Sequence, residues 1–309
     1  MPSPDERTAV PGYRYVTYET FDDGVIARIM LNRPEVRNAQ QRGLLVELND
    51  AFLQAEADDA VRVVILGGNG PMFSSGHDIG SKLVMQEAEP GPDQHVSFTQ
   101  NGATREGAEK LMLQEWHYFF ENTRRWRNLR KITIAAVHGD VYAAALMLMW
   151  ACDLIVAADN THFADIVGTR LGMCGVEYFA HPWEFGARKT KELMLTGDSM
   201  TVEEAHALGR VSKIFPVDEL SDQTLEFARR IAKVPTMAAL LIKESVNQTL
   251  DNMGFYNSLN ACFSMHQLNH SHWAGLHGGG DGFPAGTEAD GLPNWRNAAP
   301  VTPAARDQP

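Results

Sequence analysis

Cysteine is scarce in this chain, with three among 309 residues, at Cys152, Cys174 and Cys262. The number is odd and the spacing fits no metal-ligand pattern, which excludes a disulfide framework and a zinc ribbon. Reduced thiols in a cytoplasmic protein are the expectation. Positive charge is also short, with 27 Lys and Arg against 39 Asp and Glu and a net charge of −12. That balance excludes nucleic acid and anionic membrane as main partners. Heptads, internal repeats and zinc motifs are lacking, so no metal site is expected. The opening MPSPDERTAV is polar and has no apolar run of a signal peptide. The most apolar stretch, Val141 to Ala151, is too short to span a bilayer, and Asp153 follows it.

What is present is enough apolar side chain, 44% of the residues, for one large core and an appendage. The stretch ITIAAVHGDVYAAALMLMWACDLIVAA, Ile132 to Ala158, reads as strand, turn, buried helix and strand. Ile132 to Val137 is short and β-branched. His138-Gly139-Asp140 makes the turn. Val141 to Ala151 is apolar all round, as a fully buried helix is. The first N–H groups of such a helix lack intrahelical partners and can stabilise an oxygen gaining negative charge. Plain close packing of helix on strand explains the same residues.

Further strands are expected over Tyr13 to Tyr18, Val25 to Leu31 and Val61 to Leu66. Asn32-Arg33-Pro34 forms a turn. A helix is expected from Gln40 to Ala57, with Leu44, Leu45, Leu48, Phe52 and Ala55 on one face. GGNGPMFSSGHDIG, Gly67 to Gly80, is a glycine-rich turn. Ser81 to Gly107 reads as a long polar loop, either a lid or disordered. A helix spans Glu109 to Arg130. Thr201 caps another, with Glu204 three residues on as a capping box. A last strand covers Val211 to Phe215. Three amphipathic helices follow, over Leu220 to Lys233, Pro235 to Leu250 and Phe255 to Trp273.

LNRPEVRNA, VVILGGNGPMFSSGHDI, the Ile132–Ala158 stretch and KELMLTGDSMTVEEAHALGRVSKIFPVDEL together resemble the crotonase superfamily, the enoyl-CoA hydratase/isomerase family. The resemblance covers about residues 13 to 250. It implies an α/β fold with a crotonase-like ββα spiral core over residues 1–200. A helical trimerisation region over 201–275 and a Gly/Pro-rich tail over 276–309 complete the chain. It also implies a homotrimer or a hexamer made as a dimer of trimers. The substrate it implies is an acyl-CoA, coenzyme A serving as carrier with no further cofactor. In the family two backbone N–H groups stabilise a thioester enolate, and here they fall at His77 and Ala144. Because backbone atoms act, the His77 imidazole need not contribute. Arg37 is the candidate for a phosphate contact, with a solvated arginine as its alternative. Ser75, Gly76 and Asp78 belong to the turn that curls around the carrier, although Asp78 also suits a helix cap.

The family's hydratases use two glutamates. The first aligns with Met147 and the second with Val167 or Gly168, with Asp165 out of register. Methionine can neither orient water nor carry its proton. GMCGVEYFAHPWEFG, Gly172 to Gly186, supplies other polar groups, among them Glu177, Tyr178, His181 and Glu184. Glu177 is the leading candidate for proton transfer, with a carboxyl pKa raised by burial. Its alternative is capping a helix that begins near Val176. Asp140 and His138, on the turn before the buried helix, are further candidates or turn residues. The expected activity is transformation of an acyl-CoA through a stabilised enolate, of hydratase or isomerase type. Hydrolysis of a thioester or C–C bond on the same scaffold is one alternative. A non-catalytic acyl-CoA-binding protein is another.

Overall fold

The computed structural model describes residues 12–79, 102, 105 and 107–276. The loop expected over Ser81 to Gly107 lies almost wholly outside them, as does nearly all of the tail from 276 onward.

Six strands form the main sheet: β1 (Val16–Phe21), β2 (Ile26–Leu31), β3 (Val63–Gly68), β4 (Ile132–Val137), β6 (Leu154–Ala158) and β9 (Lys213–Phe215). β1 and β2 are an antiparallel hairpin, and every later pairing is parallel. Parallel strands need both faces covered, so their sequences are apolar without alternation. β3, VVILGG, is buried at all six positions. Its side chains still divide by the period of two. Val64 and Leu66 join Ile29, Leu31, Ala135 and Val137 in the larger core, against Leu44, Leu48 and Phe52 of α1 (Arg42–Ala57). Val63 and Ile65 join Ile26, Ile134 and Val156 in a second core. Leu220 and Ala228 of α9 (Leu220–Ala232) close that second face.

α1 begins where Gln41 caps it, accepting from the N–H groups of Gly43 and Leu44. Phe52 packs against Trp126 with ring centroids 5.5 Å apart, both fully buried. Truncating such an aromatic costs about 3–5 kcal/mol. Asp153 pins the far edge. Its Oδ2 accepts from Thr133 N at 2.8 Å, Thr133 Oγ1 at 3.0 Å and Lys243 Nζ at 2.9 Å. One carboxylate thus joins β4, the approach to β6 and α10 (Thr236–Asn252).

Two expectations require correction. The helix read from Val141 begins later. Asp140–Tyr142 is instead a short strand, β5, paired with β7 (His162–Ala164), and β8 (Met200–Thr201) completes this small sheet. The helix proper, α4, covers Ala144–Trp150, with every residue buried. Pairing of Val141 with Phe163 outweighs helix extension because it closes the second sheet over the core.

The helix expected from Glu109 to Arg130 is also not uniform. It runs as α2 (Gly107–Gln114), a π-helical segment Glu115–Glu121, and α3 (Asn122–Arg127). A π-helical stretch widens the turn and re-aims its side chains. Periodicity alone could not reveal it.

Between α4 and the C-terminal helices lie α5 (Val167–Leu171), α6 (His181–Phe185), α7 (Ala187–Thr196) and α8 (Val202–Ala207). Thr201 caps α8, its hydroxyl accepting from Glu204 N at 3.3 Å. β9 lies beyond position 200 yet forms an edge of the main sheet, so spiral and C-terminal region interlock. The last helix, α11, spans Phe255–Leu276.

Candidate active site

The site is built where the segment after β2 meets the turn after β3. Arg33 and Asp78 are both buried, and Arg33 Nη1 donates to Asp78 Oδ2 at 3.0 Å and to Ala39 O at 2.6 Å. The Asn38 side chain donates to the carbonyls of Asn69, Met72 and Phe73 and accepts from Arg33 N. The segment around the 3-10 turn Pro34–Val36 and the turn after β3 are thereby joined by side chains that satisfy their backbone. Asp78 therefore has an ion-pair role. The helix it was expected to cap falls among residues outside those described.

Backbone pairing fixes the turn itself. Gln40 N donates to Gly76 O at 2.8 Å, and Asp78 N to Gln40 O at 3.0 Å. Ser74 Oγ donates to Asn38 O at 2.8 Å, and Ser75 N to Arg37 O at 3.0 Å. The Arg37 side chain is exposed, and its backbone is left-handed with φ 57°. Gly76 has φ +89°, and a β-carbon there would lie 2.8 Å from Tyr142 O and 3.1 Å from Ala144 N. Only glycine allows this approach. It brings the residue before His77 against the first residue of α4.

Ala143, the residue before α4, adopts φ 50° and ψ −120°. That conformation suits glycine and costs a residue with a β-carbon about 1–3 kcal/mol. It persists because Ala143 N is held by Ala164 O at 2.9 Å while Tyr142 N is held by Ser74 O. The strain is stored where the chain swings from β5 into α4.

His77 and Glu177 meet here. Nε2 of His77 is 3.0 Å from Oε2 of Glu177, whose side chain is 4% exposed. A carboxylate only accepts, so Nε2 carries the proton. Nδ1 is buried and has no hydrogen-bond partner among the described residues. Phe119 lies against the imidazole, with ring centroids 4.0 Å apart. The reading that the His77 imidazole need not contribute did not foresee this pair. No sequence pattern joins two residues 100 positions apart.

The Glu177 carboxyl is held below its usual range, opposite to the direction expected from burial alone. Burial does push it up, but the charge and hydrogen bond of His77, and the charge of His266, outweigh that push. Nor does Glu177 cap a helix. The next one begins at His181, with Ala180 as its N-cap and no side-chain cap.

Behind Glu177 lies a second layer that the sequence analysis overlooked. Glu115, at the start of the π-helical segment, is 1% exposed. It faces His266 and His270 of α11, and Gln267 Nε2 donates to its Oε2. The available signal was His266-x3-His270, one helical turn apart on one face. His266 also approaches Glu177 Oε1, at 3.7 Å. Burial lowers the pKa of His266, but Cys174 and the two glutamates raise it well above normal.

Other candidates stand apart. Asp140 lies 3.8 Å from His162 and bonds to Tyr142, and no described contact joins it to His77 or Glu177. His138 Nε2 donates to the Gly70 carbonyl at 2.8 Å. Asp165 and His181 form a buried pair at 2.9 Å. Met147 is 2% exposed, and Val167 opens α5. A cavity with about 60 Å³ of water-accessible space lies beside His77, lined also by Gln40, Leu111, Glu115 and Phe119. The larger cleft, about 350 Å³ between Arg62, Lys131 and Val234, contains none of these residues.

Comparison with known proteins gives this geometry its setting. The chain is 64% identical to EchA13 of Mycobacterium tuberculosis, an enoyl-CoA hydratase by name, over 99% of this chain and 96% of that one. It is 30% identical to the mitochondrial enoyl-CoA hydratase of Pongo abelii, over 74% of this chain and 71% of that one. A probable enoyl-CoA hydratase from Mycobacterium smegmatis superposes with a TM-score of 0.74 at 40% identity, covering 87% of this chain and 98% of the other. Such neighbours share the crotonase-type α/β fold. The family model for enoyl-CoA hydratase/isomerase matches residues 22–101 and 97–273, and the chain belongs to that family, as an enzyme of hydratase/isomerase type.

Proposed function

We propose that the chain moves a proton at the carbon next to an acyl-CoA thioester, with His77 as the base. The observation that carries this reading is the Glu177–His77 pair. Glu177 fixes the ring with Nε2–H toward itself, so the imidazole in its neutral form presents the Nδ1 lone pair. A carboxylate behind an imidazole orients it and stabilises the imidazolium that forms. The thioester oxygen, which gains negative charge as the proton leaves, is stabilised by the backbone N–H groups of His77 and Ala144. Support for that hole comes from Gly76, which lets the two turns approach, and from Ala143, whose strained backbone starts α4 beside it. The phosphates and pantetheine of the carrier are met by the 33–39 and 74–78 segments, with Arg37 exposed for a phosphate contact.

One base that removes a proton and returns it at another carbon performs double-bond isomerisation. Water addition needs a second group to deliver the water. The names of the relatives favour hydration as the second reading. Against it stand Met147 and Val167-Gly168, which offer no acid or base. Each well-placed acid or base typically contributes about 10²–10⁴-fold.

The test compares crotonyl-CoA hydration with 3-enoyl-CoA isomerisation and α-proton exchange in D₂O. Isomerisation and exchange exceeding hydration is the expected outcome. Brisk hydration with no exchange would favour the second reading instead.

A homotrimer or hexamer is proposed as the working assembly. Support comes from Met237, Leu241, Ile242 and Val246, which lie exposed along α10 at helical spacing. A cytoplasmic location is supported by three free thiols.

A further inference from the structure

Glu115, His266 and His270 are three side chains of metal-ligating type in one buried cluster, and the proton chemistry proposed at His77 does not use them. Their mutual distances are specific. Nε2 of His266 lies 3.0 Å from Nε2 of His270. Nε2 of His270 lies 3.2 Å from Glu115 Oε1, and Nε2 of His266 lies 3.6 Å from Glu115 Oε2. A divalent first-row ion with bonds of about 2.1 Å separates neighbouring donors by about 3.0 Å at right angles and about 3.4 Å at the tetrahedral angle. The three separations bracket those values.

Orientation points the same way. His266 Nδ1 is 2.8 Å from the Gly175 carbonyl, which can only accept, so Nδ1 holds a proton. With that proton kept on Nδ1, the ring that releases its other proton to an incoming ion turns its Nε2 lone pair into the cluster. A backbone carbonyl behind the distal nitrogen is the usual outer support of a metal-binding histidine. Gln267 plays the matching part for Glu115 by donating to Oε2. Glu115 Oε1 is buried and has no hydrogen-bond partner among the described residues, although it lies near His270. The π-helical segment that begins at Glu115 sets this carboxylate facing α11, and such segments concentrate at functional sites.

We propose that Glu115, His266 and His270 bind one divalent first-row transition-metal ion, Zn²⁺ being the type. Two imidazoles and a carboxylate suit that class and not Mg²⁺ or Ca²⁺, which take oxygen ligands. The ion reaches the cluster through the cavity that Glu115 shares with His77. It ties the C-terminal helix to the wall of the acyl-CoA site. The proposal does not depend on which reaction His77 performs, because its test reads metal and not turnover.

The full-length chain is stripped with a chelator, then titrated with Zn²⁺ by calorimetry and with Co²⁺ by visible absorption. The expected result is one Zn²⁺ per chain, Co²⁺ ligand-field bands of nitrogen and oxygen coordination, and a Tm raised by about 5 °C in saturating Zn²⁺. His270→Ala and Glu115→Gln weaken Zn²⁺ binding by more than about 100-fold, above the cost of losing an outer-shell partner. His272→Ala, exposed on the same helix, leaves it unchanged. Failure of the unsubstituted chain to take up one equivalent overturns the proposal, whether or not the variants fold. So does Zn²⁺ binding that survives His270→Ala intact.

Discussion

Glu177 Oε2 and His77 Nε2 meet at 3.0 Å, with Glu177 almost wholly buried and the far nitrogen of His77 without a hydrogen-bond partner among the described residues. The pair divides labour between a carboxylate that stays ionised and a ring that can accept a proton. A carboxyl held low by neighbouring imidazoles is a poor general acid but a good orienting anion.

Substitution of either partner should therefore separate catalysis from binding. Glu177→Gln is expected to lower kcat on the isomerisation substrate by about 10²–10⁴-fold, because the His77 base loses the carboxylate that orients it and stabilises its imidazolium. Acyl-CoA affinity, read by calorimetry, should stay within about threefold if, as proposed, the 33–39 and 74–78 segments hold the carrier. Full activity in Glu177→Gln would remove the pair from the mechanism.

Arg33 and Asp78 form a buried ion pair that joins two irregular segments. Asp78→Asn strands the guanidinium and should cost about 3–5 kcal/mol in urea unfolding. Replacing both with apolar residues should recover part of that loss. An Asp78→Asn variant as stable as the parent would show that the pair contributes little.

The three thiols should differ in reactivity with pH. Burial, and then the Asp153 carboxylate, push the Cys152 thiol up to about 12, against weaker opposition from Lys243 and Thr133. A raised pKa keeps the unreactive thiol form, so near pH 8 only about one in 10⁴ Cys152 groups is thiolate. Its alkylation should rise about tenfold per pH unit up to pH 10 and stay far slower than that of exposed Cys174. Mass mapping of iodoacetamide-treated native protein checks this. Cys152 labelled as fast as Cys174 would contradict it.

The apolar stripe on α10 predicts where subunits meet. Leu241 and Val246 are 57% and 56% exposed in the isolated chain. Leu241→Glu with Val246→Glu should reduce a trimer to monomers by light scattering at micromolar concentration, leaving the fold intact by circular dichroism. A monomeric parent chain, or an undisturbed trimer in the variant, would contradict that assignment.

Much of the architecture was legible in the sequence. Strands Ile132–Val137 and Leu154–Ala158 fall where their apolar, β-branched runs indicated. Leu44, Leu45, Leu48, Phe52 and Ala55 are the buried face of α1, as their spacing requires. The family could be read from the SGHD turn and its flanking segments, because close backbone approach at Gly76 tolerates no side chain. The same letters showed that Met147 carries no carboxylate.

Such signals are local. Hydrophobic period and turn chemistry record what each segment buries, and they say nothing about which distant polar groups converge. Tertiary structure alone decided that His77 would find Glu177 and that Glu115 would face His266 and His270, a hundred or more positions away in each case. It also decided that Val141 would pair as a strand and that the helix after Gln114 would widen into a π-helical turn. The physical reason is that a buried charge is tolerated only beside its partner, and that partner is delivered by the closing of the whole chain.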